Sequence, residues 1–336
     1  MAVFTPIDEK DLAGFLSDYA LGPVRRFAAI PEGTENTNYA LETEAGRFIL
    51  TLIERRTPAD DLPFVLGLMR HLAESGAPVS EPVADRSGIV LKPLKGRPAI
   101  VLRWLEGRSA EDPGVAQCAL AGAALARLHL AARSYGVERP NPYGPDRWPQ
   151  LLAESEALAA TGTGGAESRD GATVEHLAAL LARCRECADA LAAEWPANDR
   201  RLPRGAIHAD LFPDNLFFAE DRVSGIFDFY FASTDLLAYD LAVAAAAWCF
   251  DRANRFHLDR WRALTAAYAA ERPLDDAEWR ALPLLCTGAG LRFTLTRLVD
   301  RLRPLDRALV VLKDPWEFAH RMAFFATHGD ELREGS

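Results

Sequence analysis

The segment 205–218, GAIHADLFPDNLFF, places three polar residues between two apolar runs. A strand followed by an ordinary surface turn needs one or two turn-forming residues, and the Pro-Asp pair at 213–214 already supplies them. His208, Asp210 and Asn215 are therefore more than the turn requires. These three side chains indicate a chemical role beyond that of a turn.

Composition indicates a folded protein that acts on small molecules. The 336 residues are long enough for about two domains and a substantial core. Hydrophobic residues make up 49% and charged residues 26%, which is typical of a globular protein. Nucleic-acid binders use clustered lysine and arginine to displace counterions, whereas this chain has a net charge of −10. We therefore expect a small-molecule substrate and no nucleic acid, and the sequence indicates no obligate protein partner.

The apolar runs and the cysteines indicate where the protein works. The start of the chain is acidic and lacks the basic and apolar segments of a signal peptide. The longest apolar run, 241–250, is far shorter than the ~20 residues that cross a bilayer. The five cysteines have no framework spacing, which is typical of reduced thiols. We expect a cytoplasmic protein without a membrane contact.

The first hundred residues read mostly as sheet. Three β-like runs lie at 25–30, 37–43 and 47–53, and a helical period follows over 58–76. Two further runs separated by Lys95-Gly96 predict a hairpin.

Helical patterns dominate from residue 112 onward, beginning with 116–132. The composition changes over 104–109, so we predict a boundary between residues 104 and 105.

The polar residues of the opening segment have a counterpart further along the chain. The sequence between Asn215 and Asp228 predicts a hairpin with its turn around 219–224, which would bring these two side chains together. One amide oxygen and one carboxylate suit Mg²⁺ when phosphate oxygens fill its remaining positions. Asp210 would accept a proton from a substrate hydroxyl, and His208 would hold the loop.

This order of residues resembles the protein-kinase pattern, in which H-R-D-x-x-x-x-N precedes D-F-G. Here H-A-D at 208–210 leads to Asn215, and D-F-Y follows at 228–230. Alanine at 209 resembles the small-molecule kinases of the aminoglycoside phosphotransferase and choline kinase superfamily rather than kinases of proteins.

That resemblance implies an α+β, protein-kinase-like bilobal fold with ATP and Mg²⁺ as cofactors. Residues 1–104 would form an antiparallel-sheet N-terminal lobe that binds the nucleotide. Residues 105–336 would form a mainly helical C-terminal lobe with the catalytic and substrate-binding groups.

The N-terminal lobe has a candidate phosphate-covering loop and lacks one expected residue. The loop lies between the first two strands, and its candidate nucleotide-binding residues are Gly33, Thr34, Asn36, Thr37 and Asn38. A kinase lobe carries a lysine on its third strand, yet Thr51 lies near that point, with Arg47 and Arg55 displaced along the strand.

The chain also resembles one family within the superfamily. The segments GTENTNY, HADLFPDNLFF, IFDFYFASTDLLAYDLA, LRFTLTRL and LKDP are similar to those of bacterial homoserine kinases. This resemblance implies phosphorylation of the side-chain hydroxyl of L-homoserine, giving O-phospho-L-homoserine for threonine synthesis.

A homoserine pocket needs a cation for the carboxylate and an acid for the ammonium group. Arg292 and Arg297 are candidates for the first, because arginine can bind a carboxylate through two parallel hydrogen bonds. Tyr230 and Asp235 are candidates for the second. Nucleotide-binding candidates at the lobe junction are Trp104 and Leu105, which would line the adenine slot.

Two other functions stay open at this point. A related kinase could act on an aminoglycoside, choline, ethanolamine or a thio-sugar, since the C-terminal part also holds aromatic and acidic residues. The missing lysine would also suit a nucleotide-binding scaffold without turnover, although such a scaffold has no reason to keep Asp210, Asn215 and Asp228.

Overall fold

The computed structural model divides the chain into two compact units. It describes residues 3–30, 36–54, 57–161, 174–196, 199, 201–303 and 312–334. The first unit contains Met1–Arg108 and Phe217–Tyr230, and the second contains Ser109–Leu216, Phe231–Leu305 and Leu312–Ser336. Phe217–Tyr230 thus packs with the first unit although it is distant in sequence. The functional division between residues 104 and 105 stays a prediction.

The first unit is built on a six-stranded antiparallel sheet with the order β1-β2-β3-β6-β4, in which β5 also pairs with β6. Its strands are β1 Val24–Ile30, β2 Thr37–Thr43, β3 Gly46–Leu52, β4 Pro82–Val83, β5 Lys92–Leu94 and β6 Arg97–Arg103. Strands β1, β2, β3 and β6 confirm four of the predicted runs, whereas β5 contains only the last three residues of the run that ends at Leu94. Lys95 and Gly96, both with positive φ, form the predicted turn between β5 and β6.

Two helices accompany this sheet. Helix α1, Glu9–Leu16, begins at Asp8, whose side chain caps the first turn, and it buries Leu12 and Phe15 against the sheet residues Leu41 and Leu50. Helix α2, Leu62–Glu74, follows a short 3₁₀ turn and ends just before Gly76, whose φ is +81°. The predicted helix over 58–76 is therefore confirmed.

A hairpin far along the chain completes the first unit. Strands β8, Leu216–Ala219, and β9, Arg222–Ile226, pair as the sequence predicts. The Phe218 main chain exchanges two hydrogen bonds with Arg108. A Cβ atom on Gly107 would lie 2.4 Å from Ser224 Oγ, so only glycine allows this close approach.

The second unit is mainly helical. Its helices are α3 Val115–Ala131, α4 Trp148–Ala160, α5 Val174–Glu194, α6 Leu237–Trp248, α7 Leu258–Glu271, α8 Asp276–Leu302 and α9 Pro315–Glu334. Two short strands, β7 Arg204–Ile207 and β10 Ser233–Leu236, pair antiparallel within it. Helix α6 is buried along almost its whole length, and α8 buries Leu291, Leu295 and Leu298 against α4 and α5. Side chains of α6, α8 and α9 contact the segment after β7.

Within the described residues, the stretch Val115–Ser134 is long and apolar enough to cross a membrane, with a mean hydropathy of 1.4. The candidate for a membrane span is therefore this stretch and not the apolar run 241–250 that was singled out from the sequence. Half of the stretch is buried inside the structure, and a Cβ atom on Gly122 would lie 2.1 Å from the carbonyl oxygen of Leu264. A core helix packed this closely passes the same test of length and composition, so the stretch is weak evidence for a membrane.

Candidate active site

The loop that follows β7 is held by one carboxylate. Asp240, on α6, accepts the backbone N–H of His208 through Oδ2 and that of Ala209 through Oδ1, both at 2.7 Å. Ala209 has a φ of +62°, which is unusual for a residue with a side chain. The carboxylate therefore stabilises an unfavourable backbone conformation directly before Asp210.

Asp240 is itself part of a buried chain of hydrogen bonds. His129 Nε2 lies 2.9 Å from its Oδ2, and His129 Nδ1 lies 2.7 Å from the hydroxyl of Tyr268. Burial alone would raise the pKa of Asp240, but hydrogen bonds from His129 and from the His208 N–H, with the nearby histidine charges, lower it below its usual value. Asp240 therefore stays ionised and keeps accepting both backbone donors of the loop.

Side chains from α6, α8 and α9 hold the remainder of the loop. The indole N–H of Trp248 donates to the carbonyl of Leu211 at 2.8 Å. The ring of Phe212 packs against those of Phe293 and Phe318, with centroids 4.9 and 5.6 Å away. The loop is thus fixed at several successive residues.

The structure brings the three predicted catalytic residues, His208, Asp210 and Asn215, together. The Asp210 N–H donates to Nδ1 of His208 at 3.2 Å, which supports the predicted holding role of this buried histidine. Asn215 donates from Nδ2 to the carbonyl of Asp210 at 2.8 Å and to its Oδ2 at 3.1 Å. This arrangement turns the amide oxygen of Asn215 away from Asp210.

Asp228 lies in the first unit, where it follows β9. Its φ is +66°, a conformation that asparagine and aspartate adopt more readily than most residues. The preceding Phe227 packs edge-on against Phe217 of the paired strand, with ring centroids 4.7 Å apart, and a 3₁₀ turn follows at Phe229–Phe231. The hairpin therefore holds the backbone at Asp228. The turn that contains Tyr230 begins directly after this residue.

The donors available for a metal are oxygen atoms. Among the described residues, no three histidine, cysteine, aspartate or glutamate side chains gather to form a metal cluster. A site of one amide oxygen and one carboxylate is not such a cluster, and its chemistry fits Mg²⁺, which binds proteins through few side chains and completes its shell with phosphates and water. The donor types at Asn215 and Asp228 are therefore compatible with the implied cofactor.

The predicted phosphate-covering loop is described only in part. Gly33 and Thr34 lie outside the described residues, as does Arg55.

The other candidates of that loop are hydrogen-bonded within the first unit. Thr37 is fully buried and donates to Glu54 at 2.8 Å, while Asn36 accepts the N–H of Glu54 at 3.2 Å. Asn38 accepts the hydroxyl of Thr51 at 2.7 Å. Thr51, which stands near the place of a strand lysine, is thus a buried residue of the β2–β3 pair.

Of the two candidates for the adenine slot, Leu105 lies beside the hairpin that carries Asp228. Leu105 packs against Gly225, where an added Cβ atom would lie 2.8 Å from Leu105 Cδ1. The Trp104 ring is covered by the guanidinium of Arg47 at 4.0 Å, and Arg47 also pairs with Glu106.

Three predicted substrate ligands have partners inside the second unit. Arg292 donates to the carbonyl of Ala209, and Arg297 bonds the carbonyl of Asp314 and the carboxylate of Glu317. Asp235 accepts from Asn141 at 2.8 Å and lies 3.2 Å from Arg204. These contacts account for all three as structural residues, and their role as ligands stays a prediction.

Sequence reasoning missed the group that holds the catalytic loop. Asp240 and His129 lie 111 positions apart, in helices that otherwise bury apolar residues. A polar residue in an apolar helical run was the available signal, since buried charges need partners. That signal did not identify the partners.

Comparisons with known proteins show which family and fold this chain is similar to. Residues 26–274 match the model of the phosphotransferase enzyme family. A homoserine kinase of Acidiphilium cryptum (strain JF-5) is 47% identical over 335 residues and covers both chains completely. A homoserine kinase of Methylobacterium radiotolerans is 48% identical over 324 residues, 96% of each chain.

A solved amicoumacin kinase in complex with AMP-PNP, Ca²⁺ and Ami has a TM-score of 0.67 at 16% identity, covering 98% of this chain and 94% of its own. Together with the sheet of the first unit and the helices of the second, this match confirms the predicted protein-kinase-like α+β fold. The sequence relatives confirm the predicted family. The chain belongs to the homoserine kinase family, a part of the phosphotransferase enzyme family.

Proposed function

We propose that the protein is a homoserine kinase, which transfers the γ-phosphoryl group of ATP to the side-chain hydroxyl of L-homoserine and forms O-phospho-L-homoserine. The product would serve threonine biosynthesis. The observation that carries the chemistry is the contact of Asp210 with Asn215 in a loop fixed by Asp240. The relatives named homoserine kinases, near 47% identity over the full chain, support the substrate.

Asp210 is the proposed catalytic base. Its carboxylate would accept the hydroxyl proton of homoserine as the oxygen attacks the γ-phosphorus, a role worth ~10²–10⁴ in rate. The amide of Asn215 donates to the same carboxylate and so restricts its orientation. His208 helps to hold the loop, because its ring nitrogen accepts the Asp210 N–H.

Asn215 and Asp228 are the proposed Mg²⁺ ligands. The bound ion would neutralise charge on the β- and γ-phosphates of ATP. The Nδ2 of Asn215 is used by Asp210, which leaves the amide oxygen as its metal donor. The hairpin presents the Asp228 carboxylate from a backbone conformation that its pairing maintains.

The remaining site residues are proposals of the same kind. We assign the nucleotide to Trp104 and Leu105 and to the segment that contains Gly33, Thr34, Asn36, Thr37 and Asn38. The AMP-PNP held by the amicoumacin kinase supports nucleotide use by this fold. Tyr230, Asp235 and Arg297 stay as candidate substrate ligands, although Asp235 and Arg297 have the internal partners described above, while Arg292 is given a different role in the next section.

We also propose that the protein acts in the cytoplasm and needs no partner beyond its substrates. All five cysteines are unpaired, and four of them are buried, which is typical of proteins kept in a reducing compartment. The net charge of −10 favours small-molecule substrates over nucleic acid.

ADP release measured with Mg-ATP and a panel of alcohols tests this function. The panel contains L-homoserine, L-serine, L-threonine, choline and kanamycin. Turnover on L-homoserine well above the others would support the proposal. Preferred turnover on another alcohol would show that the protein is a kinase but that homoserine is not its substrate. Nucleotide binding without any turnover would favour a non-catalytic nucleotide-binding scaffold.

A further inference from the structure

Arg292 is a buried charge without an acidic partner among the described residues. Its side chain lies on α8 and is 1% exposed, and its guanidinium forms no ion pair there. Its Nη1 donates to the carbonyl of Ala209, while its Nε has no hydrogen-bond partner in the described part of the chain. Burying an unpaired charge is costly, so this position needs a reason beyond packing.

Aromatic rings surround the guanidinium. Its central carbon lies 4.4 Å from the ring centre of Phe293 and 5.5 Å from those of Tyr143 and Phe231. The rings of Tyr143 and Phe231 also pack against each other, with centroids 5.4 Å apart. Such rings partly offset the lost hydration of the cation and hold the guanidinium plane in place.

Both polar backbone groups of Ala209 are therefore bonded to charged side chains. Asp240 of α6 accepts its N–H at 2.7 Å, and Arg292 of α8 donates to its carbonyl. The residue between these two contacts has the unusual φ of +62° and directly precedes Asp210. Rotation of the Ala209–Asp210 peptide would break the contact with Arg292 and re-aim the carboxylate of Asp210.

We propose, on the basis of the proposed kinase function, that Arg292 is a positioning residue that fixes the direction of Asp210 through the carbonyl of Ala209. Its 1% exposure leaves almost no surface for a substrate carboxylate, and its contact with Ala209 already occupies one of its donors. Arg292 thus acts on the catalytic step through the loop, whereas a carboxylate ligand would act on homoserine binding.

Arg321 offers a matched control. It is 5% exposed on α9, donates to the carbonyl of Ala246 at 2.7 Å, and faces the rings of Phe250 and Phe318. Like Arg292 it bonds a main-chain carbonyl and faces aromatic rings, but it also pairs with Glu317 and bonds Asn254, and within the described residues no bond joins it to the loop after β7. Arg321→Met therefore removes at least as many polar contacts as Arg292→Met, and only Arg292→Met removes a contact with Ala209.

Steady-state kinetics at a temperature where both variants are folded give the first test. Arg292→Met should lower kcat by about 10- to 100-fold, because small displacements of a catalytic group have effects of that size, while the KM for homoserine changes by less than about threefold. Arg321→Met should keep kcat within about twofold of the wild-type value. Arg292→Lys retains a donor and should recover part of the lost kcat.

A double variant separates an effect through Asp210 from a general loss of activity. In the Asp210→Asn background, Arg292→Met should cause little further loss, since the group that it positions is already disabled. Equal losses in both backgrounds would overturn the proposal. A raised KM for homoserine with unchanged kcat would also overturn it and would make Arg292 a substrate ligand.

Hydrogen exchange tests the positioning without any need for turnover. The N–H groups of Phe212 and Asn215 are bonded within the loop, to Asp210 O at 2.8 Å and Phe212 O at 3.0 Å. A peptide covering 208–216 should exchange faster in Arg292→Met than in the wild type and Arg321→Met. Unchanged exchange would overturn the proposal even if homoserine proves to be the wrong substrate, so the two failures are distinguishable.

Discussion

The side-chain amide of Asn215 donates to both the main-chain carbonyl and the carboxylate of Asp210, at 2.8 and 3.1 Å. One residue therefore links the proposed base to the proposed metal site. Its nitrogen orients Asp210, and its oxygen stays available as a hard ligand. The spacing of five residues between them allows this because a 3₁₀ turn at Pro213–Asn215 folds the chain back on itself.

Substitutions at Asn215 should separate its two functions. Asn215→Ala removes both, so we expect kcat to fall by about 10²-fold and the Mg²⁺ requirement to rise. Asn215→Asp keeps oxygen ligands but puts a second carboxylate beside Asp210. Repulsion between the two negative charges should raise the pKa of this pair of carboxyl groups. The acid limb of the pH profile of kcat should then move to higher pH. An Asn215→Asp enzyme with the wild-type profile would contradict this account.

Asp228→Asn should act on the metal rather than on the acceptor. The substitution removes a charge from the proposed Mg²⁺ site while it preserves the side-chain shape. The Mg²⁺ concentration for half-maximal rate should rise about tenfold or more, with a smaller change in the KM for homoserine. A titration of rate against free Mg²⁺ at saturating ATP measures this. An unchanged Mg²⁺ requirement would show that Asp228 is not a metal ligand.

Asp240 should make the folded state sensitive to acid. Its pKa is lowered in the folded protein, so its contribution to the free energy of unfolding is complete above the unfolded value of about 3.9. This contribution is lost as the pH falls through the folded value. The urea concentration at the unfolding midpoint of the wild type should therefore decrease as the pH is lowered below about 4. For Asp240→Asn this decrease should be smaller.

The same variant should also be less stable at neutral pH. The two backbone N–H groups bond different oxygens of Asp240, and an asparagine amide has an NH₂ group in place of one of them. One donor would lose its acceptor, so we expect a loss of about 1–3 kcal/mol in the free energy of unfolding at pH 7. Parallel urea curves for the two proteins from pH 3 to pH 7 test both statements. Equal midpoints at pH 7 would show that Asp240 does not hold the loop.

Lysine at position 51 should not restore a kinase-like phosphate contact. Thr51 is 3% exposed and donates to Asn38, so a lysine there would bury an ammonium group and lose this hydrogen bond. We expect Thr51→Lys to unfold at a lower temperature without a lower KM for ATP. Thr51→Val, which loses only the hydrogen bond, should cost about 1 kcal/mol. A tighter KM for ATP in Thr51→Lys would show that the position does face the nucleotide.

Local patterns predicted much of this molecule correctly. The β-like run at 37–43, the Lys95-Gly96 turn and the hairpin between Asn215 and Asp228 depend on neighbours in sequence, and all three are confirmed. The spacing of Asp210 and Asn215 identified a pair that the structure places in contact. Such features are predictable because turn chemistry and side-chain alternation act over a few residues.

Long-range partners were not predictable in the same way. Arg292 lies on a helix with mixed polarity, which gives no indication that its guanidinium bonds Ala209, 83 positions earlier. The hydrogen bonds that connect Asp240, His129 and Tyr268 likewise join three helices. These contacts follow from how the helices pack, and a single sequence does not contain that information.

ADP release by the wild type and by Asp210→Asn, measured with Mg-ATP and L-homoserine, tests whether Asp210 is the catalytic base. We expect clear turnover by the wild type and a loss of about 10²–10⁴ in kcat for the variant, with ATP affinity retained because Asp210 is assigned to the acceptor hydroxyl. Wild-type turnover that persists in Asp210→Asn would contradict the assignment of Asp210 as the base.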